Sequence, residues 1–387
     1  DGSEKSKLEL PLLWLRDVCL CPRCVDPDSG QKNFSTTDLP DAPKAQTAEL
    51  AKDGSLKVVW EKEILDGDQD GPHVSVWPAE VVHGWVRNEG LAPREQRLQR
   101  HLPPSRTLWD RALYESMLEA GQCRVAYQDW MVGGPDFWEA LHALARTGMI
   151  FVTGVPEGDE NEVERIAGQI GILQHTFYGF TWDVKSKPHA ENVAYTSKFL
   201  GLHQDLMYNE PVPRLQLLHC IQNSSDGGES LFSDGVRAAY ELRETDKKLS
   251  QMLETKTTLF HYHKGPHNYS MLKSVIQSEA PLLIGKTHWS PPFQGPLLRK
   301  SLPVGTTELS MPGVADWKRA ATAFQKILES PDNMVEAKLR PGECMIFDNW
   351  RVHHGRRAFA TGQGSRWLKG CYISPQVYGA MERRLLE

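Results

Sequence analysis

The chain has 387 residues, of which 40% are hydrophobic and 24% charged, the make-up of a soluble globular protein. That length exceeds one ordinary core, so a large domain with a smaller companion is expected. The net charge of −6 gives no basic footprint for nucleic acid, and no apolar run approaches the ~20 residues that a membrane span requires.

Seven cysteines, an odd and unevenly spread set, read as reduced thiols rather than a disulfide framework. The expected compartment is the cytosol, with the mitochondrial matrix as the alternative. The chain begins at Asp1 without an initiator Met, so a transit segment removed upstream would leave no trace in it.

From Leu10 to about Pro104 the pattern is short strands and turns without a long amphipathic helix. Leu56–Trp60 and Val74–Trp77 read as half-buried strands separated by the acidic, Gly-containing turn at 66–71. Ahead of them, Cys19-Leu-Cys21-Pro-Arg-Cys24 packs three thiols into six residues. Zn(II) takes four tetrahedral sulfur or nitrogen ligands, and such a run supplies three of them. His73 is the preferred fourth ligand, with His83 and His101 as weaker candidates. Pro103-Pro104 then punctuates the chain, which places a zinc-binding β domain at 1–104 and a second domain at 105–387.

In the second domain Pro135–Arg146 has the period of an amphipathic helix, followed by Gly148 and the apolar run Met149–Thr153; a second helix fits Glu160–Ile170. Short apolar segments follow at Leu215–Ile221, Leu282–Ile284, Cys344–Phe347 and Leu368–Ile373. Helical inserts interrupt them at Val236–Leu253 and Trp317–Leu328. Many short strands with interspersed turns favour a mainly β fold with helical inserts, a jelly roll or double-stranded β-helix, over a doubly wound sheet.

His203 and Asp205 lie at i and i+2 of an extended segment, so both side chains point to one face. His354, far downstream in Asp-Asn-Trp-Arg-Val-His-His-Gly-Arg-Arg, completes two imidazoles and a carboxylate. That donor set leaves adjacent coordination positions open and is the one non-haem Fe(II) oxygenases use. His353 is a rival, since on a strand only one of two neighbours faces the metal. Twelve residues beyond His354, Arg366 offers a guanidinium for bidentate pairing with the far carboxylate of a dicarboxylic co-substrate.

The order His-x-Asp, long insert, His, Arg resembles the Fe(II)/2-oxoglutarate dioxygenases. The stretches Phe177–Trp182, Asn192–Thr196, Leu217–Ile221, Gly227–Ser230, Asp234-Gly235 and Phe347–Arg351 narrow the resemblance to the γ-butyrobetaine and trimethyllysine dioxygenase family, over nearly the whole chain. The resemblance implies Fe(II) on His203, Asp205 and His354, 2-oxoglutarate on Arg366, and structural zinc on Cys19, Cys21, Cys24 and His73. It implies an aromatic cage of Tyr178, Trp182, Tyr195 and Tyr372 for a trimethylammonium group, which has no hydrogen to donate and is held by ring faces. It also places Asn192 near the substrate carboxylate, and it implies a homodimer, for which the segment 381–386 is a candidate.

Two features depart from the family pattern. The stretch Gly285-Lys-Thr-His-Trp-Ser-Pro291 lacks an expected asparagine, and Gln222 stands where the family carries lysine. The expected activity is therefore hydroxylation of a trimethylammonium carboxylate by dioxygen, γ-butyrobetaine to carnitine foremost. The alternatives are trimethyllysine or another quaternary-ammonium acid as substrate, and a non-catalytic quaternary-ammonium-binding protein.

Overall fold

The structure, a computed structural model, describes residues 9–61, 72–87, 106–185, 197–280, 283–296, 314–360 and 364–385. The turn at 66–71, His101, Asn192 and Tyr195 lie outside the described residues. The chain divides into two compact units, one running to His101 and the other spanning Leu102–Leu386.

The first unit contains an antiparallel sheet of β1 (Ala45–Leu50), β2 (Leu56–Trp60) and β3 (Val74–Trp77) in that order. Alternation along β2 buries Val58 and Trp60, which join Trp77 and Trp85 in a small core. Strand β1 is exposed along nearly its whole length, so it carries no alternation to read. The nine-residue helix Ala79–Arg87 was not expected in this unit either. Val81 and Trp85, one turn apart, pack it on the core.

The second unit is built from β4 (Arg124–Ala126), β5 (Met149–Thr153), β6 (Thr181–Lys185), β7 (Leu200–His203), β8 (Leu215–Asn223), β9 (Ser230–Asp234), β10 (Thr257–Lys264), β11 (His267–Ser274), β12 (Ile276–Ala280), β13 (Leu283–Thr287), β14 (Val335–Ala337), β15 (Glu343–Asp348), β16 (Val352–Arg356) and β17 (Arg366–Ile373). A six-stranded sheet has the order β4-β5-β15-β8-β17-β6, and a four-stranded sheet the order β14-β9-β16-β7. One core draws on both: Phe232 of β9 and Val352 of β16 join Leu217 of β8 and Ile346 and Phe347 of β15. The Phe232 and Phe347 rings lie 6.2 Å apart. Two facing sheets with crossed connections make the double-stranded β-helix.

Helices close the outer sides. Pro135–Thr147 stops at Gly148, whose φ of 79° is left-handed and favours glycine, and β5 starts at the next residue. The helix expected over 160–170 is shorter, Glu162–Gly168. The helical insert expected over 236–253 consists of two helices, Gly235–Thr245 and Lys247–Thr255, because Asp246 leaves the helical region and caps the second with its carboxylate. These two and Val314–Leu328 form a second core with Leu202 and Leu231 of the small sheet. The hairpin β10–β11, unforeseen in the sequence, pairs eight residues on each side around Gly265.

Candidate active site

Strand β7 ends at His203 instead of running on through Asp205. Asp205 is carried by the turn that follows, in which Leu206 adopts a left-handed φ of 58°. Sequence periodicity placed the two side chains on one strand; the structure brings them together through a turn. Asn349, fully buried after β15, fixes that turn like a short piece of antiparallel strand. Its Oδ1 accepts from the Asp205 N–H at 2.9 Å and its Nδ2 donates to the Asp205 carbonyl at 3.0 Å. Gln204 completes the lock, donating to the Asn349 carbonyl at 2.7 Å and accepting the Trp289 N–H at 2.8 Å.

His354 lies directly opposite His203 in the antiparallel pair β7–β16, with ring centroids 4.3 Å apart. Opposed residues on neighbouring strands share a face, which brings both imidazoles to one point. The same pleat sends His353 to the other side of the sheet. Its Nε2 lies 2.9 Å from Thr287 Oγ1 and its ring 6.0 Å from Phe324, so His354 is the one that faces Asp205.

The donor geometry suits a cation. His203 Nδ1 lies 2.9 Å from the Gly201 carbonyl, which can only accept, so Nδ1 donates there and Nε2 is the nitrogen turned to Asp205. That Nε2 is 3.4 Å from Asp205 Oδ1, and His354 Nε2 is 3.8 Å from Oδ2. The three residues offer ligand atoms within 4.8 Å of one another. Burial, with the neighbouring His203, pushes His354 down to about 3, keeping it a neutral ligand at ordinary pH. Burial disfavours the Asp205 carboxylate, but His203, His354 and Tyr372 together hold it well below the usual carboxyl range.

A cavity of about 860 Å³, counted out to its open mouth, contains the triad. Its walls include the rings of Tyr178, Trp182, Tyr208, Phe232, Phe293 and Tyr372, and Asp205 is the single carboxylate among its described lining residues. Trp182 and Tyr372 are stacked, with centroids 4.0 Å apart and planes at 21°. Tyr178 is backed by Phe177 at 4.1 Å, and Phe177 in turn stacks on Tyr269 of the hairpin at 5.2 Å. Arg366, the first residue of β17, also lines the cavity; it is 9% exposed and its Nε has no partner. Burial lowers its guanidinium to about 10, still fully charged at neutral pH. A buried cation with an open donor suits an anionic ligand. Arg356, which the sequence did not single out, lines the same cavity and donates to the Lys198 carbonyl at 2.9 Å.

In the first unit the three thiols and one imidazole also converge. His73 Nε2 lies 3.4, 3.7 and 3.5 Å from the sulfurs of Cys19, Cys21 and Cys24. Tetrahedral zinc, with Zn–S of about 2.3 Å and Zn–N of about 2.0 Å, separates S and N by roughly 3.5 Å. Ser75 donates to Cys19 Sγ at 2.9 Å and Arg16 to Cys24 Sγ at 3.1 Å, the outer support that thiolates need. Hydrogen bonds from Cys24, His73 and Ser75 outweigh burial and hold the Cys19 thiol far below its ordinary value.

The profile of the taurine catabolism dioxygenase TauD, TfdA family matches residues 111–372. The chain belongs to the TauD/TfdA dioxygenase family. Residues 3–67 match the amino-terminal profile of γ-butyrobetaine hydroxylase-like proteins. Dioxygenase str8 of Strobilurus tenacellus is 31% identical over 96% of this chain and 85% of its own length. The γ-butyrobetaine dioxygenase of Pseudomonas sp. strain AK-1 is 27% identical over 93% of this chain and 86% of its own. The mitochondrial trimethyllysine dioxygenase of Mus musculus is 26% identical, with 94% and 79% covered. This TauD/TfdA protein is a 2-oxoglutarate-dependent dioxygenase, and the His203, Asp205, His354 cluster fits its Fe(II).

Gln216 and Asn349 escaped sequence reading although both touch Asp205. The available signal was an amide inside the apolar run Leu215-Gln-Leu-Leu218, because a buried amide requires a partner.

Proposed function

We propose that this dioxygenase hydroxylates a small trimethylammonium carboxylate, with γ-butyrobetaine the first compound to test. Fe(II) would be held by His203, Asp205 and His354, and the distal carboxylate of 2-oxoglutarate by Arg366. The observation that carries the reading is the buried Arg366, whose Nε has no hydrogen-bond partner, in the same aromatic-walled cavity as the triad. When bound, Fe(II) couples oxidative decarboxylation of 2-oxoglutarate to insertion of one oxygen atom into an unactivated C–H bond. The chain's own part is placement. Arg366 orients the co-substrate through a charge-assisted pair, and the apolar walls exclude water.

With no acid other than Asp205 among the described lining residues, a quaternary ammonium head is held by ring faces, at roughly 0.5–2 kcal/mol for each converging ring. Tyr178 and Trp182 supply such faces. Tyr195 and Asn192 lie outside the described residues, and their roles stay with the family resemblance. The dioxygenases of γ-butyrobetaine and trimethyllysine among the relatives support a trimethylammonium substrate.

One observation favours a second member of the same substrate class. The segment 285–291, where the family asparagine is missing, faces the scaffold. Thr287 contacts His353, His288 bonds the Ser274 carbonyl at 2.8 Å, and Lys286 lies 3.9 Å over the Trp350 ring. None of these residues lines the cavity among those described. Trimethyllysine or another quaternary-ammonium acid therefore belongs in the same experiment. Succinate release is measured across a panel of trimethylammonium acids, each paired with its uncharged tert-butyl analogue. Strong preference for one charged member is expected; equal turnover of charged and uncharged partners would remove the trimethylammonium reading.

We also propose structural Zn(II) on Cys19, Cys21, Cys24 and His73. All four tetrahedral positions are filled, so the site stabilises the small first unit and performs no chemistry. Cys24→Ala is expected to purify without its equivalent of zinc and to expose the first unit to limited proteolysis. Full zinc content by elemental analysis would contradict the assignment.

A further inference from the structure

Asp205 has two carboxylate oxygens, and the chain treats them differently. Oδ2 accepts two hydrogen bonds, from the Tyr372 hydroxyl at 2.7 Å and from Gln216 Nε2 at 2.9 Å. Both directions are fixed by chemistry. A carboxylate only accepts, so the phenol must donate, and turning the Gln216 amide over would set its Oε1 against a negative oxygen. Oδ1 receives neither of these donors and lies 3.4 Å from His203 Nε2, closer than the 3.8 Å between Oδ2 and His354 Nε2. Tyr372 is held in turn by its stack on Trp182, and Gln216 by its place in the centre of the large sheet between β15 and β17.

We infer that Tyr372 and Gln216 are positioning residues that occupy Oδ2 and restrict Asp205 to one-oxygen coordination of the metal through Oδ1. The inference rests on the assignment of the triad to Fe(II). Its consequence is that the Tyr372 hydroxyl acts on the metal ligand, separately from anything the ring contributes to substrate. With Oδ2 engaged, the second oxygen is kept away from positions needed by co-substrate and dioxygen. Loss of either donor frees Oδ2 to rotate or to bind as well.

The test measures metal binding by the purified full chain, without turnover. Tyr372→Phe keeps the ring and its stack and removes one oxygen; Gln216→Leu removes the amide. Each is expected to weaken anaerobic Fe(II) binding about 10–100-fold, the usual effect of removing a partner of a metal ligand. The ligand-field bands of the Co(II)-loaded protein are expected to shift in both variants, a signature that a merely structural role would not move. Fe(II) affinity within about twofold of wild type for Tyr372→Phe, with an unchanged Co(II) spectrum, would overturn the inference. If Gln216→Leu fails to fold, Tyr372→Phe decides alone. Absence of Fe(II) binding by the wild-type chain would remove the triad assignment itself, which separates the two failures.

Discussion

Replacing His203 with alanine is expected to reduce 2-oxoglutarate-coupled succinate release to background while leaving the fold intact. His203 ends β7, and its Nε2 lies 3.4 Å from Asp205 Oδ1; no other described imidazole besides His354 reaches that carboxylate. With a carboxylate and a single imidazole left, the site lacks the three donors that hold Fe(II) with adjacent positions open. The natural comparison is His353→Ala, one residue from the other ligand and on the opposite face of β16. That change leaves Thr287 without its partner and opens space beside Phe324. It is expected to lower stability by about 1–3 kcal/mol and to leave Fe(II) affinity near wild type. Equal losses of iron in the two variants would contradict the assignment of faces. Anaerobic Fe(II) titration and chemical denaturation of both variants make the comparison.

Asp234→Ala is expected to be the most destabilising single change near the site, costing about 3–5 kcal/mol. Asp234 ends β9 opposite Val352 of β16, and its side chain is wholly buried. Its carboxylate takes a two-point pair from Arg351, Nε at 3.1 Å and Nη2 at 2.6 Å. It also accepts the N–H groups of Val236 and Arg237, capping the helix Gly235–Thr245, and that of Trp109 at 3.2 Å. Removing the carboxylate strands a buried guanidinium and uncaps a helix together. Denaturant unfolding measures the loss. Adding Arg351→Met to Asp234→Ala is expected to recover part of it, because the unpaired charge is then gone. A double variant no more stable than Asp234→Ala would mean that capping, and not charge burial, dominates.

The legible parts of the sequence were those where one physical pattern acts alone. Strands β5 and β15 carry the unbroken apolar runs Met149–Val152 and Cys344–Phe347 because these residues are buried on both faces, and such runs stand out in a chain of ordinary composition. The cluster of His203, Asp205 and His354 was legible from residue type and spacing, and Arg366, chosen the same way, lines its cavity. The hairpin β10–β11 was not, since His261, His263, Lys264 and His267 dilute its alternation, although Lys264-Gly-Pro-His267 is a turn signal. The turn after β7 was misread because the left-handed Leu206 leaves no mark in residue type. The roles of Asn349 and Gln216 at Asp205 were missed for a different reason. Their partners lie 144 and 11 residues away, and only the folded register shows that both reach Asp205.

The stack of Trp182 on Tyr372 joins two events that chemistry usually treats apart. One side of the stack borders the cavity where a substrate head group would rest; the other ends in a hydroxyl on a metal-binding carboxylate. Any coupling free energy between occupancy at Trp182 and metal retention at Asp205 is equal in both directions by thermodynamic reciprocity. Whatever factor the metal adds to the affinity of a compound seated on Trp182, that compound adds to the affinity for the metal.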